Sequence, residues 1–264
     1  EGNFTVLTAS AVSGVFSDVV EAGGFVLTDQ YSDSAVTLSI AFSVVSWTGG
    51  GGTYLWTNTA NWDAGRLPGP NDKVFINVAE ANPTIVLSSE THSIRSLTSY
   101  ENLTISNATL NIAADSFMQA GARLIVESGA LGGIGMIVNE GVVDLVNGTI
   151  TANLDNRGTL SVSAWGAALT GTISGALSNS GLISVSGGYY HFQDATLTVS
   201  QGFTNEGVIQ LYGREGGFGT GATLVVTGGE LVNAAGGVLR GTGTNGGTGN
   251  VFDAAITNQG LIEV

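Results

Sequence analysis

The stretch "FTNEGVIQLYG", residues 203–213, decides the fold. Asn205, Glu206 and Gly207 lead into a run in which Val208 and Gln210 alternate with Ile209 and Leu211. Period-2 alternation turns one set inward and the other outward, as in a strand buried on one face. Nearly the same phrase occurs as "VNEGVVDLV" (138–146), "LDNRGTLSVS" (154–163), "LSNSGLISVSG" (177–187) and "ITNQGLIEV" (256–264). A degenerate copy, "VNAAGGVLRG" (232–241), carries one extra residue before its glycines.

The phrase asparagines are Asn139, Asn156, Asn179, Asn205 and Asn258, with Asn233 in the degenerate copy. They recur on average about every 24 residues, a period that signals a solenoid, propeller or array. A second phrase, "NATLNI" (107–112), "GARLIV" (121–126), "DATLTV" (194–199) and "GATLVV" (221–226), recurs between them. The period is too short for a propeller blade, and no convincing 3.6-residue pattern supports a helix. Three short strands and three turns would use one period, which is the arithmetic of a parallel β-helix with coils stacked at about 4.8 Å. On this reading Asn-x-Gly is a turn. Glycine supplies φ > 0 without strain, Asn tolerates it, and stacked asparagines could hydrogen-bond along the solenoid.

Composition agrees with a compact all-β chain. Of 264 residues, 43% are hydrophobic, 41 are glycine and only 3 are proline. Net charge is −14, with 7 basic residues in all, so no basic surface for nucleic acid can be assembled. Attraction to an anionic membrane surface is disfavoured for the same reason. There are no cysteines, which excludes disulfides and thiolate metal sites. No apolar run is long enough for a spanning helix. The chain starts at Glu1 without an initiator Met or signal peptide, which suggests a processed product or a segment of something longer.

The segment 46–77, "SWTGGGGTYLWTNTANWDAGRLPGPNDKVFIN", differs in character. It holds Trp47, Trp56 and Trp62, and it precedes the strand-like Val74–Ile76. A solenoid must cover its first coil, so these tryptophans are expected to pack as a cap. The competing reading is an exposed platform that stacks on sugars. The same loop offers Asp63, Asn71 and Asp72, and "TDQYSD" offers Asp29 and Asp33. Calcium seeks such oxygens, and ordinary Asx-turns use the same residues. Residues 1–46 read as four strands, "NFTVLTA", "GVFSDVV", "GGFVLT" and "AVTLSIAFSVV".

"GNFTVLTASAVSGVFSDVV…AVTLSI" resembles the closing segment of large bacterial surface β-solenoids, the autotransporter-passenger and filamentous-haemagglutinin-like class. "SWTGGGG…W…NWDAGRLPGPNDKVFI" is similar to the segment that opens such units, and the Asn-x-Gly coils resemble their middles. The order is inverted here, with the closing segment first and the coils last. The resemblance therefore implies either one unit of a tandem-repeat surface protein or a subunit that adds head to tail. Phe4 and Val6 at one end and Leu261 and Val264 at the other are then the assembly ends.

Parallel β-helices also carry polysaccharide lyases and glycosidases. A glycosidase needs two carboxylates about 5 to 9.5 Å apart. Glu127, Asp144, Asp155, Asp194, Glu206 and Glu215 are the candidates, and no two recur at positions that force one face and one level. Glu140 and Glu206 fill a position taken elsewhere by Arg157, Ser180 and Gln259, which marks solvent-facing choice. His92 and His191 have no metal-spaced partner. "GTGTNG" (241–246) leads into no helix, so a dinucleotide reading fails its context, and "GGTGNVFD" (246–253) puts Val251 where a calcium repeat needs aspartate.

The sequence thus predicts an all-β, right-handed parallel β-helix with three parts. These are a β-strand module (1–46), an aromatic cap (47–76) and coils (77–264). The expected role is structural or adhesive, extracellular or at the cell surface, without catalytic residues or a required cofactor. Partners would be further copies or covalently neighbouring repeats, with a glycan or surface receptor as a further partner. The alternative is a carbohydrate-binding or polysaccharide-degrading β-helix.

Overall fold

The computed structural model describes residues 2–15, 25–79, 82–164, 167–188, 193–213, 220–243 and 249–264. Among them there is no α-helix, only a single 3-10 turn at Thr59–Asn61. "GVFSDVV" lies mostly outside the described residues, as do Trp165, His191, Glu215 and parts of both glycine-rich motifs near residue 246.

From residue 44 onward every ladder between named strands is parallel, and neighbours in a ladder lie about one coil apart in sequence. The strands Ser96–Ser99, Asn102–Ser106 and Thr109–Ile112 make one coil. Each pairs with its counterpart in the next coil: Ser116–Met118, Arg123–Glu127 and Ala130–Gly133. The chain therefore winds as a solenoid with three faces, named here in that order. The second face runs unbroken from Thr84–Ser88 to Leu261–Glu263. The first and third faces merge at the long strand Ala222–Asn233, whose start continues the third face and whose end continues the first.

Alternation decides what fills the coils. On the second face, Leu103, Leu124, Val143, Leu160, Ile183 and Ile209 lie side by side in successive coils, each at most 1% exposed. One such side chain contributes about 1.5–3 kcal/mol relative to exposure. Parallel strands keep like residues in register, so a single apolar position repeated per coil becomes a continuous column of core. Coil length varies because extra residues are inserted between faces, as between Ser186 and Ala195, where no ladder position is disturbed.

The second phrase does not keep one phase. "GARLIV" lies on the second face, whereas the other three copies feed the third. Short alternating strands look alike on any face of a three-sided coil, so the phrase alone could not distinguish them.

Gly2–Thr8, Phe25–Tyr31 and Ala35–Phe42 form a separate antiparallel sheet with Ala35–Phe42 in the middle. Next, Val44–Ser46 pairs in parallel with Lys73–Ile76, which pairs with Ser96–Ser99. The first-face ladder thus begins at residue 44. The sequence boundaries at 46/47 and 76/77 fall at the ends of two strands that are partners. Phe42 ties the antiparallel sheet to the coils, with the Arg95 guanidinium 3.5 Å from its ring centre.

Candidate functional site

The most ordered polar feature lies inside the coils. Met136–Asn139, Asn153–Asn156, Leu177–Asn179, Phe203–Asn205 and the end of Ala222–Asn233 all finish on an asparagine, and register places these asparagines side by side. Asn139, Asn156, Asn179, Asn205 and Asn233 are at most 1% exposed. Asn139 Nδ2 donates to Asn156 Oδ1 at 2.8 Å, Asn156 to Asn179 at 2.7 Å, and Asn179 to Asn205 at 2.6 Å. Asn205 donates to Asn233 at 2.8 Å, and Asn233 to Asn258 at 2.7 Å. Each amide also reaches a backbone carbonyl; Asn139 reaches Thr159 and Asn156 reaches Leu182, both at 3.0 Å. A buried amide is tolerated only when its donors and acceptor are matched, and the repeat matches each with the next. Asn233 joins the ladder despite the extra residue in its phrase, because the insertion is taken up beyond it, where the Gly237 N–H donates to the Ala234 carbonyl.

The ladder has an abrupt lower end. Met118 pairs with Asn139 in the preceding coil, and below it Ser99 turns its hydroxyl to the Glu101 carbonyl. Asn139 Oδ1 consequently has no donor among the described residues, although it is fully buried.

The glycine of Asn-x-Gly has a different cause from the expected one. None of the phrase glycines or ladder asparagines has positive φ. Gly181 and Gly207 are needed because the coils approach closely. A Cβ on Gly181 would overlap the Gly158 carbonyl oxygen, and one on Gly207 would overlap that of Gly181. The non-glycine residues with positive φ sit instead at the corner between the second and third faces, at Ser89, Glu90, Asn107, Ser128 and Asn147. The middle residues of the phrase, Glu140, Arg157, Ser180, Glu206 and Gln259, are exposed.

Trp47, Trp56 and Trp62 are 3%, 0% and 2% exposed and pack edge to face, with ring centres 4.9 Å (Trp47–Trp62) and 4.8 Å (Trp56–Trp62) apart. Trp62 Nε1 donates to the Trp56 carbonyl at 2.8 Å. The buried Asn61 holds the loop by donating to the Thr53 and Leu55 carbonyls and accepting from the Gly51 N–H. Nothing in its composition set Asn61 apart from its neighbours. Leu55 bridges in parallel to Val86, so the loop lies along the outer edge of the strand Thr84–Ser88. The sugar-stacking platform is thereby overturned, since no face of these rings is free. Of the aromatics in this loop, Tyr54 remains 61% exposed, beside a cavity of about 290 Å³ that Trp47, Asn82 and Pro83 also line.

The side chains of Asp63, Asp72 and Asp29, offered for calcium, are engaged by the protein's own donors. Asp72 is buried and accepts from Arg66 through both oxygens, at 2.5 and 2.9 Å, from the Gly69 N–H at 2.6 Å, and from the Ser43 hydroxyl. Burial pushes the Asp72 carboxyl up, but the bonds from Arg66, Ser43 and Gly69 outweigh it and hold the group below the ordinary aspartate value. Its hydrogen bond to Asp72 in turn raises Arg66. Asp63 accepts from the Ser46 N–H, Asn71 is half-buried, and Asp29 accepts from the Tyr31 hydroxyl. Asp33 contributes its backbone carbonyl to the Val12 N–H. Among the described residues no three His, Asp or Glu side chains form a group that could hold a metal.

The carboxylates on the coils are separately engaged. Asp144 pairs with Arg123 at 2.5 Å and Asp155 with Arg157 at 2.8 Å. Glu127 accepts from Ser106, and Asp194 from the Gly221 N–H. Glu206 stands exposed in its turn. His92 lies in the core column of Leu110, and Glu90 is 4.0 Å from its Nε2.

Of the four named assembly ends, Phe4, Val6, Leu261 and Val264 are all exposed, and Ile262 beside Leu261 is 51% exposed. No described helix is long and apolar enough to cross a membrane. No protein-family model, no curated protein and no solved structure matches this chain.

Proposed function

We propose that this chain is a structural or adhesive module, a right-handed β-solenoid of the bacterial surface kind, acting outside the cell and without catalysis. The hand is the one that parallel crossovers adopt in nearly all known cases. The tryptophan segment serves as the cap of the first coil. It supplies a hydrogen-bonded edge at Leu55 and a dry aromatic layer at Trp47, Trp56 and Trp62.

The observation that carries this reading is the asparagine ladder that reaches the last coil. Asn258 accepts from Asn233 in the same geometry as every rung before it, while Leu261 and Ile262 on the same coil are exposed. A coil that keeps the register and core residues of an interior coil suits coverage by another coil. That coil comes from a second copy or from a covalently neighbouring repeat. A heterologous contact of this kind does not close on itself and builds a rod or filament.

Light scattering with negative-stain microscopy over a concentration series tests assembly. Rods that lengthen with concentration support the subunit reading. A strict monomer at every concentration removes it. A covalent tandem of two copies then tests the repeat reading, which predicts that the joined copies unfold at a higher denaturant midpoint than one.

A further inference from the structure

The three faces differ in what they present to solvent. The outward positions of the second face include the ion pairs Arg123–Asp144 and Arg240–Glu263, and those of the first include Asp155 and Glu230. The third face has no Asp, Glu, Lys or Arg at any outward strand position from Thr91 to Val225, and its first charged residue is Asp253, beside Val225 in the next coil. In a chain with 28 charged side chains and a net charge of −14, the stretch of this face from Thr91 to Val225 is an uncharged strip.

What replaces the charges is regular. Thr149, Thr172 and Thr198 lie side by side in three successive coils. Thr170, Thr196 and Thr223 form a second such column, two residues along the same strands. Neighbours within a column are separated by the strand spacing of about 4.8 Å, and the columns by about 6.6 Å. Each threonine carries a hydroxyl that can donate and accept, beside a methyl group, and the hydroxyl of Thr170 also donates to Asn147 Oδ1 at 3.4 Å. Branching at Cβ restricts the rotamers, so each hydroxyl has few positions to choose from. The core columns beneath, with Leu197, Ile173 and Leu224 at 0% exposure, hold the strands in register.

We infer that this threonine array is a binding surface for crystalline water, that is, for the face of an ice crystal. The chemistry selects this ligand in three steps. A neutral face excludes a partner held by charge. A rigid two-dimensional repeat favours a partner that is itself a lattice over a flexible chain. Hydroxyls that both donate and accept, alternating with methyl groups, can join a hydrogen-bonded water lattice. Charged groups cannot, because each orients its own hydration shell. The inference is independent of how the ends of the solenoid are covered.

The test is thermal hysteresis and inhibition of ice recrystallisation by the purified full chain, with direct partition of the protein into a growing ice hemisphere. Wild-type protein is expected to shape ice, give a freezing gap and partition into the ice. Thr172→Lys should reduce the gap at least tenfold, because it places a hydrated charge in the centre of the array. Ser184→Lys, outward on the second face, should leave it unchanged. The strand signal in circular dichroism shows that both variants are folded, and Thr198→Lys stands in if Thr172→Lys is not. Absence of any freezing gap for wild type overturns the inference. Equal loss in both variants, or binding to an insoluble polysaccharide without partition into ice, overturns it too.

Discussion

Two alanine substitutions in the asparagine ladder should differ sharply although both remove the same side chain. In Asn179→Ala, the Asn156 Nδ2 loses its 2.7 Å acceptor and the Asn205 Oδ1 loses its 2.6 Å donor. Both groups stay buried. Each unsatisfied group costs about 1–3 kcal/mol, so the hydrogen-bond loss amounts to about 2–6 kcal/mol. In Asn139→Ala, the acceptor that already lacks a donor disappears, and the Asn156 Oδ1 becomes the one without. The number of unsatisfied buried groups does not change. What remains is the loss of ordinary bonds, about 0.5–1.5 kcal/mol each. The cavity left by Asn→Ala is common to both, so the difference isolates the polar contribution. Urea unfolding followed by circular dichroism reads it as a shift of midpoint, provided the slopes agree. Asn179→Ala should be the less stable by about 2 kcal/mol or more. Equal destabilisation, or a larger loss at Asn139, would refute the ladder as a chain of dependent bonds.

Gly181→Ala should cost about 2–4 kcal/mol, because the methyl group meets the backbone of the preceding coil. Gly121→Ala, at φ 91° but in open space, should cost only about 1–2 kcal/mol, and thermal melts that reverse this order would contradict the close-approach argument. Trp62→Ala removes the ring shared by both aromatic contacts and should cost about 3–5 kcal/mol, with loss of the near-ultraviolet circular dichroism of the cluster. Asp72 has a depressed carboxyl, so its contribution is fully present above the unfolded aspartate value of about 3.9 and is lost as pH falls through the lower folded value. Asp72→Asn should therefore flatten the acid limb of a stability–pH curve, and an unchanged limb would show that the Arg66 pair contributes nothing there.

The sequence by itself determined the coil. Period-2 alternation after each Asn-x-Gly, repeated about every 24 residues, leaves little besides stacked three-strand coils, since only parallel stacking puts like residues beside like. It also marked which residues recur, Asn139 through Asn258, and which position varies between them. The tertiary structure decided what those recurrences are for. An asparagine before a glycine reads locally as a turn, because local sequence carries backbone preference and not depth. Stacking turned the side chain inward, where an amide is admitted only by its neighbours one coil away. The glycine likewise reads as a residue of unusual φ, yet Gly181 has an ordinary φ and is required by a carbonyl 23 residues earlier, at Gly158. Three tryptophans near a loop could face either way until Leu55 paired with Val86 and closed the edge over them. The neutral threonine face was invisible for the same reason. Thr149, Thr172 and Thr198 are far apart in the chain, and they become an array only when coils of unequal length are brought into register.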